Sequence, residues 1–248
     1  MNDAIVKLEI DERGIATLRM LDEPRKNALS REMVEGLHRS LVDVSTSENV
    51  KVILLAGLPE YFSTGASEDI LLEIVDNKLP PEDLVLPQWL LDIPVPTIAA
   101  MEGHALGGGL ALGICADILL FSEESRYGCT FMRMGFTPGM GTTRLLQHAM
   151  SPAIAAEMLF TGKTFRGSEL QGKCSVNYIL PRGTVMAKAQ AIAADIAEKP
   201  RLSLTLLKRT LARSRKEIYA AALEDESTMH RESFAQPDIH DHIRNYFG

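Results

Sequence analysis

Two glycine-containing loops are the parts of this sequence best suited to chemistry. One lies in GHALGGGLALGICAD, residues 103–117, where three consecutive glycines precede an apolar run typical of a helix. The other lies in FSTGAS, where Gly65 turns the chain and Ala66 begins a helix. Backbone N–H groups at such helix starts are accessible and favour negative charge. Two such amides facing one point would form an oxyanion hole; the alternative is two unrelated tight turns.

The glycine triplet matches neither of the common phosphate-binding motifs. It does not fit GxxxxGK[ST], and it lacks GxGxxG spacing with an acid about 20 residues on. The helix that follows begins with Leu110, Ala111 and Leu112, which carry no acid or base. The pattern therefore favours stabilisation of an anion by backbone amides rather than phosphate binding.

Strand and helix patterns alternate through the first part of the chain. AIVKLEID and IATLRML predict a strand pair, and KVILLAG, TIAAMEG and DILLFSE predict further strands. Ser30 is the predicted cap of the helix that follows the first pair. From about Ser151 onward the periodicity is almost wholly helical. We therefore predict an α/β core in residues 1–195 and a helical region in residues 196–248.

Composition and charge exclude several classes of partner. Of the 248 residues, 46% are hydrophobic and 24% are charged, and the net charge is −7 at neutral pH. This acidic balance argues against a general binder of nucleic acids or anionic membranes. No apolar run reaches the roughly 18 to 20 residues of a membrane span, and the N-terminus lacks the pattern of a signal peptide. We expect a cytoplasmic protein without a membrane or nucleic-acid partner.

The cysteine and histidine patterns do not predict a metal site. Cys115, Cys129 and Cys174 form no CxxC pair, and their odd number argues against a disulfide framework. We expect them to be small side chains, mostly buried, in a reducing compartment. His240 and His242 lie beside aspartates near the C-terminus. That pattern is more typical of a solvated helix than of a metal cluster.

Four motifs, in order along the chain, resemble those of the crotonase (enoyl-CoA hydratase/isomerase) superfamily. They are RKNALS (25–30), FSTGAS (62–67), AAMEGHALGGGLALGICADI (99–118) and MGFTPGMGTTRLL (134–146). The resemblance covers essentially the whole chain. It implies an α/β fold built as a crotonase-like spiral of ββα units. It also implies a C-terminal helical region that builds a homotrimer or a dimer of trimers, and thioester substrates on a phosphopantetheine arm with no other cofactor.

The resemblance also implies roles for residues in these motifs. The amides of Ala66 and Gly108 are the expected donors that stabilise a thioester enolate. The expected substrate-binding residues are Arg25, Lys26, Ala28, Gly65, Gly107, Phe131 and Phe136.

Two acids of the hydratases in this superfamily are absent. Hydratases carry one glutamate three residues after the oxyanion glycine and another just before the G-x-x-P-G segment, where this chain has Ala111 and Phe131. Neither side chain can move a proton, which the addition of water requires. We therefore exclude hydratase activity. Asp69 and Glu73 are candidate replacements, but their positions favour helix-capping and surface roles.

Loss of CO₂ can form an enolate without a base. A carboxylate on the γ carbon of an enoyl thioester leaves as CO₂, and its electrons delocalise onto the thioester oxygen. Such a site needs a cation, a proton donor and apolar walls, here predicted from Ala111, Phe131, Met132 and Phe136. TFMRMGFTPGMG and KPRLSLTLLK resemble the decarboxylating branch of polyketide β-branching cassettes. The resemblance implies conversion of 3-methylglutaconyl thioester to 3-methylcrotonyl thioester on an acyl carrier protein.

In that branch two polar side chains flank the substrate carboxylate. They match Lys78 in DNKLPPED and His230 in STMHRESF. The alternatives are a solvated loop cation and a helix-surface or core histidine. A tyrosine that some members place after the first oxyanion residue is replaced by Ile70. The other histidines are expected to be structural or to lie on helix surfaces: His38, His104 and His148.

An acyl carrier protein is acidic, so its docking surface should be basic. The candidate cations in and around RLSLTLLKRTLARSRK are Arg201, Lys208, Arg209, Arg213, Arg215 and Lys216, with Arg25, Lys26 and Arg133 elsewhere. An ordinary solvated helix face is the alternative. Two rival functions stay open. One is an enoyl-CoA isomerase or decarboxylase that acts on free CoA thioesters, and the other is a non-catalytic crotonase-fold scaffold.

Overall fold

The computed structural model describes residues 4–80 and 85–248, so the last residues of the DNKLPPED segment lie outside the described ranges. The larger of its two sheets has the order β1-β2-β3-β5-β7-β10. These strands are Val6–Ile10, Ile15–Met20, Val52–Ala56, Thr97–Met101, Ile118–Ser122 and Tyr178–Leu180. β1 and β2 form the predicted antiparallel pair, and the later neighbours pair parallel.

The smaller sheet has the order β4-β6-β8-β9. Its strands are Tyr61–Ser63, His104–Leu106, Arg126–Gly128 and Phe165–Arg166. β6 pairs parallel with both β4 and β8, and β9 pairs antiparallel with β8.

The chain alternates between the two sheets, from β3 to β4, from β5 to β6 and from β7 to β8. A helical segment follows each pair: α2 (Glu68–Val75) with α3 (Leu86–Asp92), then α4 (Gly108–Gly113), then a 3-10 helix (Phe131–Met134). β3 and β5 consist of buried residues, as expected for continuous apolar runs inside a parallel sheet. This path is the predicted spiral of ββα units, and the α/β prediction is confirmed.

Helices cover both faces of the larger sheet. α1 (Arg31–Thr46) begins at its predicted cap, where Ser30 Oγ accepts a hydrogen bond from Met33 N at 3.3 Å. α8 (Val185–Ala197) packs its alanine-rich face on β3 and β5. The predicted boundary at residue 195 therefore falls inside the last turn of α8. The other short helices are α5 (Thr142–Ala149), α6 (Pro152–Thr161) and α7 (Gly167–Leu170).

The region after Ser151 is less helical than predicted, because it contains β9 and β10. β10 extends the larger sheet by pairing parallel with β7. Its residues are exposed or half-buried, so the sequence lacks the buried apolar run that would reveal a strand. The prediction was wrong there for this reason.

Two helices close the chain: α9 (Arg201–Ser233) and α10 (Ile239–Phe247). Asp117, just before β7, accepts from Lys208 Nζ at 2.7 Å and also pairs with Arg215, so it fastens α9 to the core. Burial by itself raises the pKa of Asp117, but the two cations outweigh burial and hold that pKa below its usual value. Within the described ranges, no helix is long and apolar enough to cross a membrane.

Candidate active site

The two glycine loops meet because the strands before them are neighbours. β4 and β6 pair parallel, with Tyr61 opposite His104, and each loop leaves the carboxyl end of its strand. Gly65 consequently lies against the second loop. A Cβ atom on Gly65 would stand 2.9 Å from Leu106 O and 3.0 Å from Gly108 N.

Each glycine of the triplet is required for a separate reason. Gly107 has a φ of +50°, which side chains disfavour. A Cβ on Gly109 would overlap the carbonyl oxygen of Ser63, and one on Gly108 would stand 2.8 Å from Met140 Sδ. The triplet therefore lets α4 start in direct contact with β4 and with the segment that carries Met140.

The N–H groups of Ala66 and Gly108 have no acceptor among the residues that the structure describes. Gly108 is the first residue of α4, where a backbone N–H has no partner within the helix. The preceding amide, Gly107 N, donates to Gly128 O at 2.8 Å and fixes the loop to β8. Both amides are thus held in place and remain available to a ligand.

The RKNALS loop is anchored by Asn27, which sequence reasoning did not single out. Asn27 is fully buried, and its Nδ2 lies 3.0 Å from Tyr61 O while its Oδ1 accepts from Asp22 N at 2.8 Å. Two residues on, Leu29 N donates to Gly65 O at 2.7 Å. The φ of Asn27 is +55°, and the tolerance of asparagine for that conformation is the sequence signal that could have identified it.

The two loops open into a narrow space of about 20 Å³, the inner cavity. It is lined by Thr64, Gly65, Ala66, Leu71, Gly107, Gly108, Thr130, Phe131, Met134, Phe136, Tyr246 and Phe247. Among the described residues, no charged side chain forms part of this lining. The inner cavity therefore combines two backbone donors with largely apolar walls.

The predicted apolar walls are partly as expected. Phe131 and Phe136 line the inner cavity, and Ala111 is fully buried without being one of the lining residues. The prediction for Met132 was wrong, because its side chain is 42% exposed. In a 3-10 helix residues i and i+3 share a face, so Phe131 and Met134 turn inward together while Met132 turns outward.

The acids that could replace the missing glutamates lie outside the inner cavity. Asp69 is exposed on α2. Glu73 pairs with Arg31 at 2.7 Å. Both have the surface roles that their positions in the sequence favoured.

A wider space of about 530 Å³, the outer cleft, adjoins the inner cavity. Its lining includes Arg25, Lys26, Ala28 and Arg133. Thr64, Tyr246 and Phe247 line both spaces. Because about 20 Å³ accommodates roughly one water molecule, an acyl chain can enter the inner cavity only when its lining moves. The end of α10 stands at the junction where such movement would open it.

His230 lies beside the inner cavity rather than on its wall. Its Nε2 is 3.1 Å from Thr137 O, and its ring packs edge-on against Phe234 with centroids 5.2 Å apart. Phe234 in turn stacks on Phe136, which lines the inner cavity. His230 also lines a separate cavity of about 160 Å³ together with Asn77, which follows α2. The rings of Phe234 and Phe136 therefore connect the imidazole to the wall of the inner cavity.

Lys78 follows α2 and pairs with a neighbouring carboxylate. Its Nζ lies 2.8 Å from Asp76 Oδ2, its side chain is 68% exposed, and Asp76 Oδ1 is 3.0 Å from His240 Nε2. The hydrogen bond to Asp76 raises the pKa of Lys78, so the ammonium keeps its charge. The structure thus brings the end of α2 beside His230 but leaves the Lys78 ammonium outside the inner cavity.

The cations predicted on α9 for docking a carrier protein divide into two groups. Lys208, Arg215 and Arg201 bond to the body of the protein. Arg209, Arg213 and Lys216 are exposed, so docking by the exposed ones stays a prediction. The partners are Asp117 for Lys208 and Arg215, Val50 O and Ser47 O for Arg201, and Asp92 for Lys216. Cations that are close together in a helical sequence project from different sides of the helix, and here one of those sides faces the protein core.

The remaining histidines and the cysteines have structural surroundings. His104 Nδ1 accepts from Arg126 N at 2.9 Å. Cys115 and Cys129 are buried, and burial raises the pKa of both thiols to about 12, so they are poor nucleophiles. Among the described residues, no three His, Cys, Asp or Glu side chains gather as a metal site would require.

Comparison with known proteins identifies the family. The sequence matches the family model described as enoyl-CoA hydratase/isomerase over residues 11–247. It is 34% identical to the bacillaene synthase decarboxylase PksI of Bacillus subtilis over the whole length of both chains. The crystal structure of the ECH2 decarboxylase domain of CurF from Lyngbya majuscula is 37% identical, with a TM-score of 0.92 over 99% of this chain and 100% of that one.

A further structure comes from a dehydratase/decarboxylase enzyme couple involved in polyketide β-branching. It is 34% identical, with a TM-score of 0.94 over 98% of this chain and 99% of that one. These similarities span the fold described above and all four motifs. The chain belongs to the enoyl-CoA hydratase/isomerase family.

Proposed function

We propose that this protein is a decarboxylase of polyketide β-branching that converts 3-methylglutaconyl thioester to 3-methylcrotonyl thioester on an acyl carrier protein. The observation that carries the proposal is a pair of backbone amides at an apolar cavity without a charged side chain among its described lining residues. Such a cavity is suited to stabilising an enolate oxygen. It lacks the base that would make the enolate by removing a proton. Relatives named as decarboxylases support loss of CO₂ as the alternative route.

In the proposed reaction the bond between the γ carbon and the carboxylate carbon breaks. The carboxylate leaves as CO₂, and the electron pair of that bond moves through the conjugated chain onto the thioester oxygen. The amides of Ala66 and Gly108 donate to this oxygen in the dienolate. A proton then adds to the γ carbon and gives the 3-methylcrotonyl product. Loss of one such donor typically raises the barrier by roughly 3 to 4 kcal/mol.

Lys78 and His230 are the proposed cation and proton donor for this reaction. The space between α2 and α9 supports the assignment, because Asn77, next to Lys78, lines the same cavity as His230. In the proposed reaction Lys78 leaves its ion pair with Asp76 and turns its ammonium group towards that space. An exposed ion pair of this kind contributes little to stability, so its loss is a small obstacle.

The outer cleft is the proposed entrance for the phosphopantetheine arm. Arg25, Lys26 and Arg133 line it together with the carboxylate of Glu68, and Arg25 also pairs with Glu32 at 2.7 Å. Guanidinium and ammonium groups suit both the phosphate of the arm and an acidic carrier surface. The cleft continues into the inner cavity past Tyr246 and Phe247. This arm is the one prosthetic group that the proposal requires, and the carrier protein brings it.

We also propose that copies of the chain assemble as a homotrimer or a dimer of trimers. The first half of α9 exposes a run of leucines whose exposed fractions are 45% to 70%: Leu202, Leu206, Leu207 and Leu211. Several large exposed apolar side chains on one helix are typical of a protein interface. Light scattering in solution tests this assembly, and a monomer would contradict it.

Mass spectrometry of 3-methylglutaconyl thioester incubated with the protein tests the function. We expect the carrier-bound substrate to lose the mass of CO₂ faster than the CoA-bound one. Equal rates would favour a decarboxylase of free CoA esters. A gain of the mass of water would indicate a hydratase, and an unchanged mass in both forms would favour an isomerase or a non-catalytic scaffold. Each of the last two results overturns the proposal.

A further inference from the structure

Three side chains of α9 form one stripe that faces a single loop. Glu226, His230 and Ser233 follow one another at helical spacing. Glu226 is 1% exposed, Ser233 is 7% exposed, and His230 is half-buried. The loop that they contact comprises residues 137–143, here called the TPGMGTT loop.

The TPGMGTT loop is fastened to α9 at both of its ends. At one end, Glu226 Oε2 accepts from Gly141 N at 2.7 Å, and Oε1 accepts from Thr143 N at 3.0 Å and from Thr143 Oγ1 at 2.7 Å. At the other end, Ser233 Oγ lies 3.0 Å from Thr137 Oγ1. Hydrogen bonds to a carboxylate are about twice as strong as neutral ones. Glu226 is therefore the stronger of the two attachments.

Between these ends the loop touches both halves of the proposed site. Thr137 O lies 3.1 Å from His230 Nε2, and a Cβ on Gly139 would stand 2.6 Å from His230 Cε1. Met140 Sδ packs against Gly108, the residue with the second oxyanion amide. Met140 has a φ of +59°, a strained conformation that persists only where surrounding contacts impose it.

We propose that Glu226 is a positioning residue that, through the TPGMGTT loop, holds His230 and Gly108 in fixed relation. The effect on turnover rests on the proposed function, whereas the effect on His230 does not. Burial raises the pKa of Glu226 even though Thr143 and Gly141 donate to it. These donors oppose the effect of burial and favour the charged carboxylate.

The test is Glu226→Gln, whose amide group replaces one acceptor oxygen by a donor that opposes the loop N–H groups. A misplacement of about 1 Å can reduce a rate by roughly 10²-fold, so we expect kcat to fall at least about tenfold with little change in KM. We also expect the Cε1–H resonance of His230 to shift in the NMR spectrum. The matched control is Glu224→Gln, the same substitution at an exposed carboxyl of the same helix. It should change neither.

Thr143→Val gives a milder test if Glu226→Gln does not fold, because it removes one of the three donors and keeps the carboxylate. A folded variant of either kind with an unmoved His230 resonance would overturn the proposal. So would an equal shift in Glu224→Gln. A wild-type protein that fails to decarboxylate overturns the proposed function instead, because the NMR readout does not depend on turnover.

Discussion

Gly65→Ala tests the geometry of the oxyanion amides most directly. Gly65 has a φ of +89°, so an alanine there carries backbone strain of about 1–3 kcal/mol. Its Cβ would stand 2.9 Å from Leu106 O and 3.0 Å from Gly108 N. Since these neighbours are backbone atoms, the two loops must move apart. The movement separates the amides of Ala66 and Gly108, and one misaligned donor reduces kcat by about 10²- to 10³-fold.

Gly183→Ala is the matched control for backbone strain. Gly183 has a φ of +84°, and an added Cβ there meets nothing within 4 Å. Urea denaturation should show lower unfolding free energy in both variants. Release of CO₂ from carrier-bound 3-methylglutaconyl thioester at saturating substrate should fall in Gly65→Ala alone. Equal kcat in the two variants, whether both keep activity or both lose it, would refute the assignment of the oxyanion donors.

Three further predictions concern the polar pair, the ion cluster at Asp117 and the outer cleft. Lys78→Ala and His230→Ala should each reduce decarboxylation without unfolding the protein, because both side chains are at least partly accessible. Full activity in both would contradict their proposed roles. Asp117→Asn should destabilise the protein by about 3–5 kcal/mol at pH 7, because it leaves buried Lys208 without its counter-charge. Since the pKa of Asp117 is lowered in the fold, its contribution is present above the usual aspartate pKa and is lost as pH falls towards the lowered value. Urea denaturation at decreasing pH should show this loss in the wild type, and an identical profile in Asp117→Asn would contradict it. Arg133→Glu should raise KM for the carrier-bound substrate at low salt more than Arg213→Glu does; the reverse order would place docking on α9.

Several features could be predicted from the sequence because their causes are local. The helix cap at Ser30, confirmed by its bond from Met33 N, involves four successive residues and no distant partner. The apolar runs of β3 and β5 predicted buried strands, since a parallel strand covered on both faces shows no alternation. The four motifs also predicted the family, which the match over residues 11–247 confirms.

Other features could not be predicted because their causes lie far apart in the chain. β10 is a strand because it pairs with β7 at the edge of the larger sheet. Its own residues show little hydrophobic pattern. Asn27 anchors its loop by donating hydrogen bonds to carbonyl groups on other segments, including Tyr61 O. Glu226 is buried at the TPGMGTT loop, although its place on a charged helix is typical of a solvated glutamate.

By itself, the sequence determined which chemical groups this protein can use. It has Ala111 and Phe131 at the positions where the family resemblance implies the acids of hydratases. It has glycine at 65, 108 and 109, where a Cβ atom would come too close to neighbouring atoms. Only the tertiary structure decided which of these groups meet. The two glycine loops are adjacent because β4 and β6 pair in parallel and so end at the same edge of one sheet. Lys208 is an internal counter-charge rather than a docking residue because the fold brings α9 to Asp117, a contact that no local pattern encodes.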